Sequence, residues 1–208
     1  AAGTAGVPAG RPLLRAADTW SCPTLAVRVL DWPQARVDAW LARPEAQYMA
    51  ARIRDGFRDR RLMGLRDWTA EDFRLATAGH ALQDRFVRAL RDAGAGILAG
   101  SDIGPWGFSL HDELEALVAA GLTPAEALAA ATIAPARYLG AADTLGRLAP
   151  GMRADLVVLD ADPLADVRAT RAIRAVVVRG RLLDRAALDA GLAEARDAAR
   201  RATDPPPR

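Results

Sequence analysis

Two short stretches hold the residues of this chain best placed to do chemistry. Residues 97–104, ILAGSDIG, drive an apolar run into Asp102 and turn at once. In α/β proteins ligands and catalytic groups gather where parallel strands end, and a carboxylate there can take up and return a proton. The same Ser-Asp-x-Gly pattern also builds turns in which the aspartate bonds its own backbone, and the local sequence leaves both readings open. Residues 109–114, SLHDEL, set His111 in the first turn of a helix. A neutral imidazole at that position serves equally for substrate contact or for a local hydrogen bond. His80, the only other histidine, follows a glycine in TAGHALQD and reads as a solvated or capping residue at a helix start. Cys22 is the single cysteine, so an internal disulfide and a cysteine-based zinc knuckle are excluded. Its surroundings, WSCPTLAV, read as a buried strand in which Cys22 is a small apolar filler.

The elements that position these residues follow from periodicity and punctuation. SCPTLAV (21–27) and GILAG (96–100) read as strands, the first weakened by Pro23, which cannot donate a ladder hydrogen bond. Between them, 34–92 reads as largely helical with breaks near Pro44, Gly64 and Gly79. RPLLRAAD (11–18) reads as the end of a helix. Two capped helices follow: Ser109 with Asp112 has the shape of a capping box closed by Gly121, and Thr123, Pro124 and Glu126 repeat the device. From 145 the period changes to β-rich runs, GRLAPGMRADLVVLDADPL and RAIRAVVVRGRLLD, bounded by Pro-Gly and Arg-Gly turns. Residues 185–201 read as an amphipathic helix with Leu188 and Leu192 on one face, and DPPPR is a loose end. Alternation of strand and helix places the chain in the α/β class.

With 51% hydrophobic and 26% charged residues among 208, the chain can bury a core and is not of disordered composition. The net charge is +2 and every basic residue is arginine. Those arginines alternate with acids, as in RIRDGFRDRR (52–61), the pattern of a solvated helix face and not of a nucleic-acid footprint. No apolar stretch approaches the roughly 20 residues of a membrane helix. The opening AAGTAGVPAG lacks the charged start and apolar core of a signal peptide. A cytoplasmic protein is expected, although the missing initiator Met suggests an internal start and leaves an upstream targeting segment open.

Taken together, ILAGSDIG, FSLHDELEALVAAGLTPAEALAAATIAPARYLG, LGRLAPGMRADLVVLDADPL and RAVVVRGRLLD resemble the amidohydrolase superfamily, in particular its imidazolonepropionase-like and Xaa-Pro-dipeptidase-like members. The resemblance covers about residues 18–185 and is densest from 94 onward. It implies the C-terminal part of a (β/α)8 TIM barrel in 1–143, with SCPTLAV and ILAGS as strands seven and eight. Part of a small β-sandwich follows in 144–185, and a terminal helix and tail in 186–208. The resemblance makes Asp102 the strand-eight aspartate, both a metal ligand and the catalytic proton shuttle, and puts His111 within reach of substrate at the barrel mouth. It further implies a divalent metal, zinc as one or two ions, and a small amide or dipeptide substrate, and leaves a homo-oligomer open.

The family's other ligands, an early His-x-His, a carboxylated lysine or glutamate and two later histidines, are not matched here: the chain has no His-x-His and no lysine. A catalytic zinc takes three protein ligands, so most of the set is expected outside this chain, with the N-terminal strands. The chain alone is therefore expected to fold poorly and to bind no catalytic metal tightly. The function this implies is metal-dependent hydrolysis of a carbon–nitrogen bond by the full-length protein. One rival is a non-catalytic remnant or interaction piece. The other is a metal-free lyase using a Schiff base, which the absence of lysine disfavours.

Overall fold

In the computed structural model the described residues are 19–59 and 65–202. The helix end expected at 11–18 and the tail DPPPR lie outside them. Two strands, β1 (Trp20–Ser21) and β2 (Gly96–Ile97), pair in parallel with Trp20 opposite Gly96 and Ser21 opposite Ile97. Both are shorter than their sequences suggest. Pro23 has no N–H to extend β1, and Thr24 takes a left-handed φ of 49° that turns the chain into a 3-10 helix over Leu25–Asp31. Beyond β2 the ladder continues for one more bond, Leu98 N–H to the Ser21 carbonyl at 2.8 Å. Ala99 N–H then goes to the Ala130 carbonyl at 2.9 Å. Gly96 is required by packing: a Cβ there would lie 2.2 Å from the Trp20 ring. Gly96→Ala is expected to destabilise the protein by about 1–3 kcal/mol, since overpacking forces backbone or ring to shift. A chemical denaturation midpoint checks this.

The connection from β1 to β2 is a helical unit with its own core. It comprises α1 (Gln34–Leu41), a 3-10 helix at Pro44–Tyr48, α2 (Ala51–Arg58), a 3-10 turn at Leu65–Asp67 and α3 (Ala70–Ala93). Val29, Val37, Trp40, Leu41, Met49 and Phe57 cluster there, and Ile103 from the loop after Asp102 joins them. The break expected at Gly79 does not occur. It lies inside the 24-residue α3, which is set by a capping box at its start, Thr69 with Asp72, and by left-handed Gly94 at its end. A single glycine costs a long helix only about 1 kcal/mol.

After the Asp102 loop come α4 (Ser109–Ala119), α5 (Pro124–Ala131) and α6 (Ile133–Tyr138). The helix expected over 123–140 is divided at Thr132, because Pro135 has no N–H for the Ala131 carbonyl. The core formed by Leu25, Val87, Leu114, Leu117, Leu122, Ala127 and Val167 packs α3, α4 and α5 together beside the parallel pair. An antiparallel sheet, β3 (Leu156–Leu159), β4 (Ile173–Val178) and β5 (Arg181–Leu183), follows in the order β3-β4-β5. Arg179 and Gly180, at φ 50° and 79°, close the β4–β5 hairpin, the two-residue turn whose twist suits paired strands. The last helix, α7 (Arg185–Arg201), is capped by the Asp184 side chain, and Leu188 and Leu192 are on its half-buried side. The described chain is thus mixed α/β, and none of its helices is long and apolar enough to cross a membrane.

Candidate active site at the strand ends

Two turns leave the carboxyl ends of β1 and β2 side by side, and each contains a non-glycine residue in the left-handed region: Thr24 and Asp102, both at φ 49°. Such residues cost of order 1 kcal/mol or more each and gather where function constrains the backbone. Asp102 is exposed. Among the described residues its carboxylate has no hydrogen-bond or ion-pair partner. The turn is closed without it: Ser101 Oγ donates to the Ile103 carbonyl at 3.4 Å and accepts from Ser109 Oγ at 2.9 Å. Side-chain capping of its own turn therefore does not account for an aspartate here.

Ser109 serves that contact and does not cap α4. The capping box expected between Ser109 and Asp112 is absent; Phe108 occupies the cap position with no side-chain bond. Asp112 is drawn away by two guanidinium groups, Arg43 at 2.9 Å and Arg171 at 2.6 Å. Glu45 is shared by the same two arginines at 3.3 Å each, and Glu115 pairs with Arg171 at 2.8 Å. This network joins the Pro44–Tyr48 turn, α4 and a 3-10 helix at Val167–Arg171. Thr123 forms its capping box as expected, accepting from Glu126 N–H at 3.2 Å while Glu126 Oε2 accepts from Thr123 N–H at 2.7 Å.

His111 is brought to Thr170 and not to Asp102. Its Nδ1 lies 2.9 Å from Thr170 Oγ1, whose own hydrogen goes to the Val167 carbonyl at 2.8 Å. The hydroxyl can then only accept, so Nδ1 carries the proton and Nε2 keeps its lone pair. Burial first, and then the Arg171 charge, hold the imidazole pKa below the usual histidine value, which favours the neutral ring. His80 lies in the middle of α3, where Nε2 meets Asp31 Oδ2 at 3.0 Å. It is a partly buried, paired residue, not a solvated one at a helix start. Cys22 is exposed rather than a core filler. Its Sγ occupies the space a Cβ of Gly100 would fill, 2.5 Å away. Partial burial of the sulfur against Gly100, and then the carboxylates of Glu113 and Asp102, raise its pKa, which works against a nucleophilic thiolate.

Sequence reasoning missed Glu113. It is fully buried on α4, and its Oε2 accepts the Ala26 N–H at 2.7 Å while Oε1 has no partner. Burial pushes its carboxyl up to about 7, against the lowering pull of the Ala26 and Leu25 amides and of Arg28. Among the described residues no three His, Cys, Asp or Glu side chains come together in a way that could hold a metal ion. One carboxylate does not make a metal site, so these residues do not by themselves fit the ion that the resemblance implies.

Comparison with known proteins bears on the same stretch. The model of the amidohydrolase family matches residues 80–183, which include Asp102, His111, Glu113 and the β3–β5 sheet. A bottromycin amidohydrolase is similar in structure with a TM-score of 0.65 and 27% identity, covering 89% of this chain and 41% of its own. A Bifidobacterium longum protein assigned as a prolidase gives 0.57 and 28%, covering 85% of this chain and 39% of its own. A Xaa-Pro dipeptidase with methionine bound in its active site gives 0.58 at 18% identity, covering 86% and 38%, a likeness of fold alone. The chain thus spans about two fifths of the length of these solved structures. No match was found among curated protein sequences.

Proposed function

The chain belongs to the amidohydrolase family, and from that premise we propose that the full-length protein hydrolyses a carbon–nitrogen bond of an amide, cyclic amide or dipeptide, with Asp102 moving the proton. The single observation that carries this reading is the Asp102 carboxylate itself. It stands exposed in the turn that follows a parallel strand, on a strained backbone, and closes none of that turn's hydrogen bonds. A carboxylate oxygen free in this way can accept a proton from the attacking water and deliver it to the leaving nitrogen, which departs as an amine. β1 and β2 correspond in this reading to adjacent strands of a (β/α)8 barrel, and β3–β5 to part of a β-sandwich. Asp102 would be the one ligand that this chain gives to a divalent metal, zinc in the first instance. The other ligands would come from the portion of the fold that the solved relatives have and this chain does not span. When bound, such an ion supplies a water acidic enough to ionise near neutral pH. His111, neutral with Nε2 unprotonated, would contact substrate.

The test is hydrolysis of Xaa-Pro dipeptides and small amides by the full-length protein, with metal content measured in parallel. Turnover of either class supports the reading, and a folded, metal-replete protein inert on both would leave a non-catalytic role. His111→Ala is expected to lower kcat/KM by about tenfold while bound metal stays unchanged, because a lost substrate contact is worth about 1–1.5 kcal/mol. Loss of stoichiometric metal would make His111 a ligand instead.

A further inference from the structure

We propose that Glu113 is a positioning residue for the Asp102 site: it fixes the turn after β1 against the turn that carries Asp102. The proposal rests on the functional reading of Asp102 given above. Ser109 and Glu113 are one helical turn apart on α4, and both are fully buried, so they share one face of the helix. Ser109 reaches the Asp102 turn through Ser101 Oγ. Glu113 reaches the neighbouring turn, where its Oε2 holds the Ala26 N–H. That turn needs an outside acceptor. The 3-10 helix it opens has no side-chain cap of its own: Thr24, at the cap position, is left-handed and its side chain makes no capping hydrogen bond. Unpaired N–H groups at a buried helix start are costly.

The two turns are in direct contact. Cys22 Sγ sits in the notch left by Gly100, two residues before Asp102, with Thr24 Cγ2 at its margin. A shift of the β1 turn is therefore passed to the strand end from which Asp102 projects. Burial of a carboxylate with one oxygen unpartnered is an expensive way to stabilise a fold. An apolar side chain would fill the space more cheaply, but it could not hold the Leu25 and Ala26 amides. Both left-handed residues, Thr24 and Asp102, are thereby supported from one helix face, by Glu113 and Ser109 respectively.

The experiment compares full-length wild type with Glu113→Gln, Glu113→Asp and Glu113→Ala, each alone and combined with Asp102→Asn. Amide hydrogen exchange and steady-state hydrolysis of a dipeptide or amide substrate are the readouts. Gln keeps the reach and an acceptor oxygen, whereas Asp keeps the charge but withdraws the oxygen by one methylene. Gln is expected to resemble wild type. Asp and Ala should speed exchange at Leu25 and Ala26 and leave α5 unchanged. They should also lower kcat by about tenfold or more with little change in KM, since small displacements of a reacting group cost that much. Added to Asp102→Asn, they should cost little further, because the displaced group no longer acts. Unchanged exchange at Leu25 and Ala26, or a kcat loss that adds in full to that of Asp102→Asn, would overturn the proposal. So would Asp outperforming Gln, a comparison that survives if Glu113→Ala fails to fold. A protein that hydrolyses no carbon–nitrogen bond would sink the functional reading alone, and the exchange pattern would still decide whether Glu113 holds the turn.

Discussion

Asp102→Asn is expected to lower turnover of the full-length protein by about 10²–10⁴-fold, the usual worth of a positioned proton acceptor, while leaving the fold intact. The two halves of that expectation come from different observations. Asn has the size of Asp but cannot take the proton of the attacking water. Structurally the exchange is mild. The position has a φ of 49°, and Asn tolerates the left-handed region as well as Asp does. The carboxylate bonds nothing among the described residues, and Ser101 closes the turn, so no native hydrogen bond is lost. Stability should then stay within about 0.5 kcal/mol of wild type, as for surface changes without such losses. Steady-state kinetics beside a thermal melt separates the outcomes. Near-full turnover would show that Asp102 does not move the proton. An unfolded variant would show that the aspartate is there to build the turn.

How far the sequence discloses this arrangement depends on the distance over which each feature is determined. The capping box at Thr123 and the hairpin turn at Arg179–Gly180 are local, and their residues behave as their types dictate. Ser109 and Asp112 carry the same local signature as Thr123 and Glu126 but do not form the box. Ser101 claims the hydroxyl, while Arg43 and Arg171, 69 and 59 residues away, claim the carboxylate. A cap contributes about 1 kcal/mol, and two charge-assisted hydrogen bonds outweigh it. The start of α3 shows the reverse: Thr69 and Asp72 form a box, and the helix it opens runs through Gly79 without a break. The placement of Asp102 in an exposed turn after a strand is legible because an apolar run leading to one acid before a turn is a local pattern. Glu113 is not, since it lies in a helical sequence like any surface glutamate and its partner Ala26 is 87 residues away. Only the fold reveals that this glutamate faces inward.

That inward-facing glutamate also predicts how stability varies with pH. The Glu113 carboxyl is raised to about 7 from the ordinary glutamate value of 4.5, chiefly by burial. Between those two values the unfolded chain has released the proton and the folded protein has kept it. The folded state therefore binds more protons, and stability falls as pH rises. The contribution is full below pH 4.5 and lost as pH passes through about 7. At about 1.4 kcal/mol for each pH unit between the two values, it amounts to about 3 kcal/mol. His111 acts in the opposite sense. Its pKa is lowered from 6.5 by burial and by Arg171, so its contribution is present above pH 6.5 and lost as pH falls. Glu45, where burial is outweighed by a hydrogen bond from its own backbone N–H and then by Arg43 and Arg171, is lowered from 4.5 and acts in the same sense as His111 but at more acid pH. Comparison with Glu113→Gln removes these shared terms. The amide mimics the protonated acid, with one acceptor for the Ala26 N–H and one donor at the other position, but it does not titrate. Urea denaturation of both proteins between pH 4.5 and 8 should give curves that nearly coincide at the acid end. They should separate towards pH 8, with the glutamine variant the more stable by up to about 3 kcal/mol. Parallel curves across that range would mean that Glu113 titrates as an ordinary glutamate and that its burial carries no such linkage.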